Sequence, residues 1–62
     1  MTEVTWVIES EYMGEGIDIW YQYGPAYDDS SQAYADLSYL RSAEEHQRYV
    51  YRLVEITREV VA

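Results

Sequence analysis

The sequence predicts an α+β domain with the element order ββαβ, in which a three-stranded antiparallel sheet (order 2-1-3) carries one helix on one face. Two observations predict this class. Three segments alternate apolar and polar side chains or are rich in β-branched and aromatic residues, and the segment before the last of them has apolar side chains at helical spacing. A hairpin followed by a crossover helix places the third strand beside the first. With 62 residues, the chain has room for one small domain, which we expect to span residues 1–62.

The first strand is predicted at residues 2–9, TEVTWVIE. Val4, Trp6 and Ile8 point to one face and the polar residues between them point to the other, with Val7 as the exception. This alternation is typical of a half-buried strand. The segment MGEG follows, and its two glycines, two residues apart, favour a hairpin loop.

The second strand is predicted at residues 17–23, IDIWYQY. Gly24 and Pro25 are expected to end it, because proline cannot donate a hydrogen bond to a neighbouring strand. One face carries Ile17, Ile19, Tyr21 and Tyr23, and the other carries Asp18, Trp20 and Gln22. The aromatic residues that we predict to be core are Trp6, Tyr21, Tyr23 and Tyr51.

The helix is predicted at residues 30–45. Asp29, followed three residues later by Gln32, fits a capping box at its start. The apolar stripe at positions i, i+4 and i+7 consists of Ala33, Leu37 and Leu40.

The third strand is predicted in the last segment, RYVYRLVEITREVVA, which is rich in β-branched and aromatic residues. Both of its faces carry apolar side chains, and one helix can cover only one of them. One face has Tyr49, Tyr51 and Leu53, and the other has Val50, Val54 and Ile56.

The formal net charge of −8 lies entirely in the first two-thirds of the chain. Residues 1–40 carry eight acids and no Lys or Arg, whereas residues 41–62 carry four acids and four arginines. Such a field attracts basic surfaces and repels nucleic acid and anionic membranes. We therefore expect neither direct nucleic-acid binding nor membrane association. No long apolar run suggests a signal peptide or a membrane span.

The residues that carry chemistry do not form a catalytic pattern. His46 is the single histidine, and no nucleophile or orienting acid stands at a defined spacing from it. The sequence contains neither a zinc-binding H-E-x-x-H segment nor a calcium loop, and it has no cysteine. The carboxylates of Asp28 and Asp29 are better explained by helix capping than by acid–base work. We expect no enzyme, no catalytic residues, no metal site and no cofactor.

A protein-binding surface is the remaining kind of site. Trp20, Tyr27 and Tyr39 are predicted to be exposed, and exposed Trp and Tyr are enriched at protein interfaces. Incidental exposure is the alternative for these aromatics, and solubility alone is the alternative for the acids. The candidate contact residues are Glu15, Asp18, Trp20, Tyr27, Asp28, Asp29, Asp36 and Tyr39.

In size, in charge and in its layout of a hairpin, a YDDSSQAYADLSYLR helix and a closing YRLVEITREVV strand, the chain resembles small acidic phage-encoded inhibitor proteins, including anti-CRISPR proteins and DNA-mimic inhibitors. The resemblance covers the whole chain without a diagnostic motif. It implies a protein-binding inhibitor in the cytoplasm of a bacterial host cell. Its partner would be a basic nucleic-acid-binding protein or a nuclease complex of host defence. The surface carboxylates of the inhibitor would bind that partner in place of phosphates.

A structural or assembly module is the alternative function. In that case the uncovered sheet face, with Val7, Trp20 and part of the third strand, pairs with a second copy to give a homodimer. The acids would then serve only solubility or salt adaptation.

Overall fold

The computed structural model describes residues 1–13, 19–43 and 48–62 of the chain. They form three strands and one helix: β1 (Thr2–Tyr12), β2 (Tyr21–Tyr27), α1 (Ser30–Ser42) and β3 (Tyr49–Glu59). The sheet order is β2-β1-β3, and β1 pairs antiparallel with both neighbours. The predicted ββαβ fold with strand order 2-1-3 is therefore confirmed. The predictions that lie outside the described residues concern residues 14–16 of the MGEG loop, which include Glu15, and Ile17, Asp18 and His46.

The pairing of β1 with β3 is the longest feature of the sheet. Its register runs from Thr2 opposite Glu59 to Tyr12 opposite Tyr49 without a bulge. At the Thr2 end, the Val60 amide donates to the Met1 carbonyl at 2.7 Å and the Thr2 hydroxyl donates to the Glu59 carboxylate at 2.8 Å. The central strand is thus held along its whole length by β3.

Strand β2 differs from its prediction. It starts at Tyr21 and continues through Gly24 and Pro25 to Tyr27, so the prediction that these two residues end the strand is wrong. Between Ile8 opposite Tyr23 and Trp6 opposite Tyr27, the register shifts by a bulge. Gly24 has φ 78, a conformation that glycine adopts without a Cβ penalty. An edge strand can absorb a proline at such a bulge, because the missing N–H is not needed there.

Helix α1 begins where the capping prediction placed it. The Asp29 carboxylate Oδ1 accepts from the Ser31 amide at 2.9 Å and from the Ser31 hydroxyl at 2.7 Å. At the other end, the Ala43 amide donates to the Tyr39 carbonyl at 2.9 Å, and the backbone of Ala43 is extended. The helix therefore ends at Ser42, and the prediction that it continues to residue 45 is wrong. The buried helix residues are the predicted stripe of Ala33, Leu37 and Leu40. No helix in the described ranges is long and apolar enough to cross a bilayer.

The core lies between α1 and the middle of β1 and β3. Ile8, Leu37, Leu40 and Tyr51 form one buried cluster, against which the half-buried Tyr27 and Leu53 pack. The Tyr51 face of β3 is therefore the one that the helix covers. Val7 is also buried, at 4% exposure, although it points to the opposite face.

Three side chains predicted to lie on the inward face of the second strand are exposed instead. Ile19, Tyr21 and Tyr23 expose 43%, 63% and 40% of their surface, so the prediction of Tyr21 and Tyr23 as core is wrong. Trp6, also predicted as core, is half-buried. The physical reason is that the buried apolar stripe of α1 is narrow. Its buried stripe packs over β1 and β3, and much of β2 is left uncovered on the same side.

Candidate protein-binding surface

Tyrosines dominate the part of the helix-bearing side that the helix leaves open. Ser10 lies opposite both Tyr21 and Tyr51, and Ile8 lies opposite Tyr23, so these side chains share the side of the sheet that bears α1. The helix adds one more exposed ring at its border with β2. We call this surface the tyrosine face; it consists of Tyr12, Tyr21, Tyr23, Tyr39 and Tyr49.

The rings along this surface pack against one another. Tyr12 and Tyr49 have ring centroids 5.3 Å apart, and Tyr23 meets Tyr51 edge-on at 5.6 Å with an interplanar angle of 79°. These are the tilted and T-shaped arrangements that the aromatic quadrupole favours. Ring packing therefore orders Tyr12, Tyr23 and Tyr49 of this surface.

The tyrosine face contains two concave regions. A cleft of ≈ 360 Å³ lies at the Tyr12 end of the sheet, and a groove of ≈ 300 Å³ lies between β2 and α1. Tyr21 borders the first and Tyr23 the second, and residues two apart on a strand are neighbours on one face. The two regions therefore form one surface along β2. The cleft is lined by Ser10, Tyr12, Ile19, Tyr21 and Tyr49, and the groove by Tyr23, Gly24, Pro25, Tyr27, Asp36, Tyr39 and Leu40.

Tyr27 and Asp36 form the floor of the groove by bonding to each other. The Tyr27 hydroxyl donates to Asp36 Oδ2 at 2.6 Å, and both side chains are half-buried. The hydrogen bond to this carboxylate, assisted by partial burial, raises the pKa of Tyr27 above its ordinary value. The prediction of Tyr27 as an exposed loop residue is wrong, because it belongs to β2. Its hydroxyl joins β2 to α1 within the groove.

Trp20 lies on the opposite side of the sheet and is half-buried, not exposed as predicted. The guanidinium carbon of Arg52 stands 4.0 Å from the Trp20 ring centroid. Arg52 Nε and Nη2 both lie 2.7 Å from Glu9 Oε1. The ring of this predicted anchor therefore lies under an arginine that Glu9 holds in place.

The contact between Arg52 and Trp20 also affects the uncovered sheet face, because it covers one of its apolar rings. With Val7 buried and Trp20 under an arginine, the apolar side chains that strand β3 exposes on this face are Val50 and Ile56, at 42% and 37%. The homodimer through this face stays a prediction.

The other candidate residues divide into two groups. Tyr39, exposed at 62%, and Asp28 lie at the surface as predicted. Asp29 is exposed too, but its carboxylate caps α1, and the hydrogen bonds from Ser31 lower its pKa. Glu15 and Asp18 lie outside the described residues.

Sequence reasoning missed Tyr21, Tyr23 and Tyr49 as surface residues. Period-2 alternation correctly places Tyr21 and Tyr23 on the side of the sheet that bears the helix. The error was to assume that every side chain on that side is buried. A signal was present in the helix. A stripe of three apolar residues, two of them leucines, is too narrow to cover three strands.

Chemically, the tyrosine face offers flat rings for stacking and hydroxyl groups for hydrogen bonding, with the carboxylate of Asp36 in the groove. Within the described ranges, no three His, Asp or Glu side chains are grouped so as to hold a metal ion. No protein-family model, curated protein or solved structure matches the chain.

Proposed function

We propose that the chain is a small acidic protein-binding inhibitor that occupies the nucleic-acid-binding surface of a basic protein. The observation that carries the proposal is the exposure of aromatic rings on the tyrosine face. Tyr21 and Tyr39 expose 63% and 62% of their surface beside the cleft and the groove. Concave, aromatic and partly apolar surface of this kind is typical of interface centres.

Charge supports a basic partner. The chain has a net charge of −8, and its first 40 residues, which include β1, β2 and most of α1, contain no Lys or Arg. Asp28 is exposed directly after β2, and Asp36 lies in the groove. An acidic surface of this kind steers a basic partner toward it and orients the encounter.

Arginine is the partner side chain that best fits this combination of rings and carboxylates. Its guanidinium stacks on aromatic faces and pairs with carboxylates through its N–H groups. The molecule itself contains such an arrangement, because Arg52 lies over Trp20 while bonding to Glu9. Arginines that bind nucleic acid stack on the rings of the bases and pair with the negative charge of the phosphates. On the tyrosine face the same arginines could stack on the tyrosine rings and pair with the carboxylates.

The resemblance to small acidic phage-encoded inhibitors supports a narrower version of the proposal. In that version the partner is a host-defence protein, such as a nuclease complex, in the cytoplasm of a bacterial cell. The support consists of size, charge and element layout.

The test begins with the whole chain immobilised and exposed to nuclease-treated bacterial lysate. A basic nucleic-acid-binding protein is expected to be retained at about 50 mM salt and released at about 500 mM, where the Debye length is only a few ångströms. The retained protein is then purified and bound to labelled nucleic acid, and the chain is added. We expect the chain to displace the nucleic acid.

Tyr34 provides a matched control for the tyrosine face. It lies two helical turns before Arg41, which donates to the Tyr51 carbonyl, so it belongs to the β3 side of the helix. It is also as exposed as Tyr21, at 61% against 63%. Replacing Tyr21 and Tyr39 together by Ala should weaken binding at least about tenfold, since interface tyrosines often contribute more than about 1 kcal/mol each. Replacing Tyr34 by Ala should leave binding unchanged.

Two results would contradict the proposal. One is a captured protein that binds nucleic acid equally well when saturated with the chain. The other is equal weakening by the Tyr34 variant and by the double variant, because binding would then not use the tyrosine face.

A further inference from the structure

One end of the sheet extends beyond the helix and beyond β2. Strand β2 pairs with β1 only between Trp6 and Ser10, and the core cluster reaches no farther along β3 than Leu53. Past these points, and among the residues that the structure describes, residues 2–5 of β1 pair only with residues 56–59 of β3. We call these eight residues the terminal ribbon.

The terminal ribbon has little support from the rest of the fold. Residues 55–59 are all exposed, whichever face they point to. The molecule is correspondingly elongated, with extents of 43 × 25 × 12 Å. A two-stranded ribbon alone is marginally stable in water, and a third strand with more apolar contact is what normally stabilises it.

The free edge of β3 offers a place for such a strand. Val60 exchanges hydrogen bonds with Met1, so its N–H and C=O point toward β1. Because backbone direction alternates along a strand, the N–H and C=O groups of Glu55 and Thr57 point away from β1. The Tyr51 carbonyl follows the same alternation and accepts from Arg41 at 2.9 Å. In the described part of the sheet, β3 is an edge strand with β1 as its one neighbour.

The two edges of the sheet are not equivalent. Strand β2 contains Pro25 and a bulge at Gly24, and both features obstruct the addition of another strand. Strand β3 pairs with β1 through eleven successive residues without a bulge and contains no proline. The edge of β3 is therefore the one that can accept a strand.

A second copy of the chain meets the least charge repulsion at this edge. Two copies of a chain with net charge −8 repel each other, but residues 41–62 carry four arginines and four acids, which cancel. Strand β3 is thus the part of the chain that a second copy can approach with the least repulsion. We propose that β3 pairs antiparallel with β3 of a second copy, so that two three-stranded sheets become one sheet of six strands.

The register of this pairing follows from the charges along the edge. Centring it on Glu55 sets Glu55 against itself, and centring it on Thr57 sets Glu55 against Glu59, so that like charges would be directly opposite. Centring it on Ile56 sets Glu55 against Thr57 and Ile56 against Ile56 of the second copy. A register centred on Val54 would instead use the Tyr51 carbonyl, which Arg41 already occupies. The Ile56-centred register is free of both conflicts.

Sedimentation velocity across a concentration series tests the dimer in the absence of any partner. Pairing of a few residues gives a small interface and hence weak association. We expect the average mass to rise from 7.3 kDa toward twice that value between about 10 μM and about 1 mM protein. Higher salt should strengthen the dimer by screening repulsion between acidic copies, whereas it should weaken binding to a basic partner. The two proposals therefore fail independently.

Two matched substitutions locate the contact. Ile56→Arg sets two arginines opposite each other and should weaken dimerisation at least about tenfold. Val50→Arg adds the same charge on the same face of the same strand, but Val50 lies six residues from Ile56, beyond the Tyr51 carbonyl that Arg41 occupies, so this variant should have little effect. Both positions are exposed, at 37% and 42%, and circular dichroism checks that both variants fold. Hydrogen exchange of the Glu55 and Thr57 amides should slow as protein concentration rises.

The proposal is overturned by a mass that stays at 7.3 kDa up to about 1 mM protein. Equal weakening by Ile56→Arg and Val50→Arg also overturns it, as does exchange at Thr57 that is independent of concentration. A dimer that Tyr21→Ala dissociates and Ile56→Arg does not would assign the contact to the tyrosine face instead.

Discussion

Replacing Tyr27 by Phe removes a single hydroxyl group from the floor of the groove. The ring keeps its place against the core, and what is lost is the 2.6 Å hydrogen bond to Asp36 Oδ2. A hydrogen bond to a charged group contributes about 1.5–3 kcal/mol when it is buried. Both partners here are half-buried, and water can reach the freed carboxylate, so we expect a loss of about 1 kcal/mol.

Thermal and urea unfolding followed by circular dichroism measures this loss. For a domain of this size, about 1 kcal/mol corresponds to a decrease of about 4–8 °C in Tm. Tyr34→Phe is the control, because that tyrosine is exposed on the helix, and its Tm should stay within about 2 °C of the wild type. A double-mutant cycle with Asp36→Ala should give a coupling energy of about 1 kcal/mol between the two side chains.

The pH dependence of stability is a second test of the hydrogen bond between Tyr27 and Asp36. The pKa of Tyr27 is raised above its ordinary value of 10.0, first by the hydrogen bond to Asp36 and then by partial burial. The folded state therefore holds the phenolic proton more tightly than the unfolded state does. The contribution of the protonated Tyr27 hydroxyl to the free energy of unfolding is complete below pH 10 and is lost as pH rises through the raised pKa. The difference in unfolding free energy between wild type and Tyr27→Phe should shrink over that range.

An equal Tm for Tyr27→Phe and Tyr34→Phe would show that the hydroxyl does not join β2 to α1. A coupling energy near zero would lead to the same conclusion. In either case the floor of the groove would not depend on this bond.

Two further substitutions test the fold that presents the tyrosine face. Gly24→Ala should lower the free energy of unfolding by about 1–2 kcal/mol. The loss comes from backbone strain alone, because φ is +78 and nothing lies within 4 Å of the added Cβ. No measurable loss would show that the bulge relaxes to another conformation. Leu37→Ala should cost about 2–5 kcal/mol, since it leaves a cavity among Ile8, Leu40 and Tyr51. A 62-residue domain has a total stability of roughly 3–9 kcal/mol, so this variant should lose a large fraction of it and unfold at a much lower temperature by circular dichroism. A cooperative unfolding transition near that of the wild type would contradict the assigned core.

The fold was predictable because each of its signals is local. The alternation of residues 2–9, the Asp29 cap and the leucine stripe of the helix each identify an element. Short connections and the handedness of crossovers then leave few topologies, and the one found has the order β2-β1-β3. Gly24 and Pro25 misled the prediction because their usual role is to end strands, whereas here a bulge at an edge accommodates both.

The site was predicted less well because exposure depends on where one element lies over another. Tyr21 and Tyr23 point to the side that bears the helix, but the helix packs over β1 and β3, and its position across the sheet is not encoded in any local pattern. Trp20 was predicted to be exposed, and its partner Arg52 lies 32 positions later in the chain, so nothing near Trp20 indicates that it is covered. Long-range contacts of this kind decide which aromatic side chains can serve as anchors.

The two proposed surfaces lie at opposite ends of the molecule, and this has a consequence for how they combine. Ile56, the centre of the proposed pairing, is seven residues along β3 from Tyr49, which is about 23 Å in a strand. A dyad perpendicular to the sheet leaves both tyrosine faces on the same side, about 45 Å apart. A target with two matching sites at that distance would bind the second face as an intramolecular event, and the same linkage would stabilise the dimer. A target with one site would bind the monomer and leave dimerisation unchanged, so the effect of the target on the dimer distinguishes bivalent from monovalent inhibition.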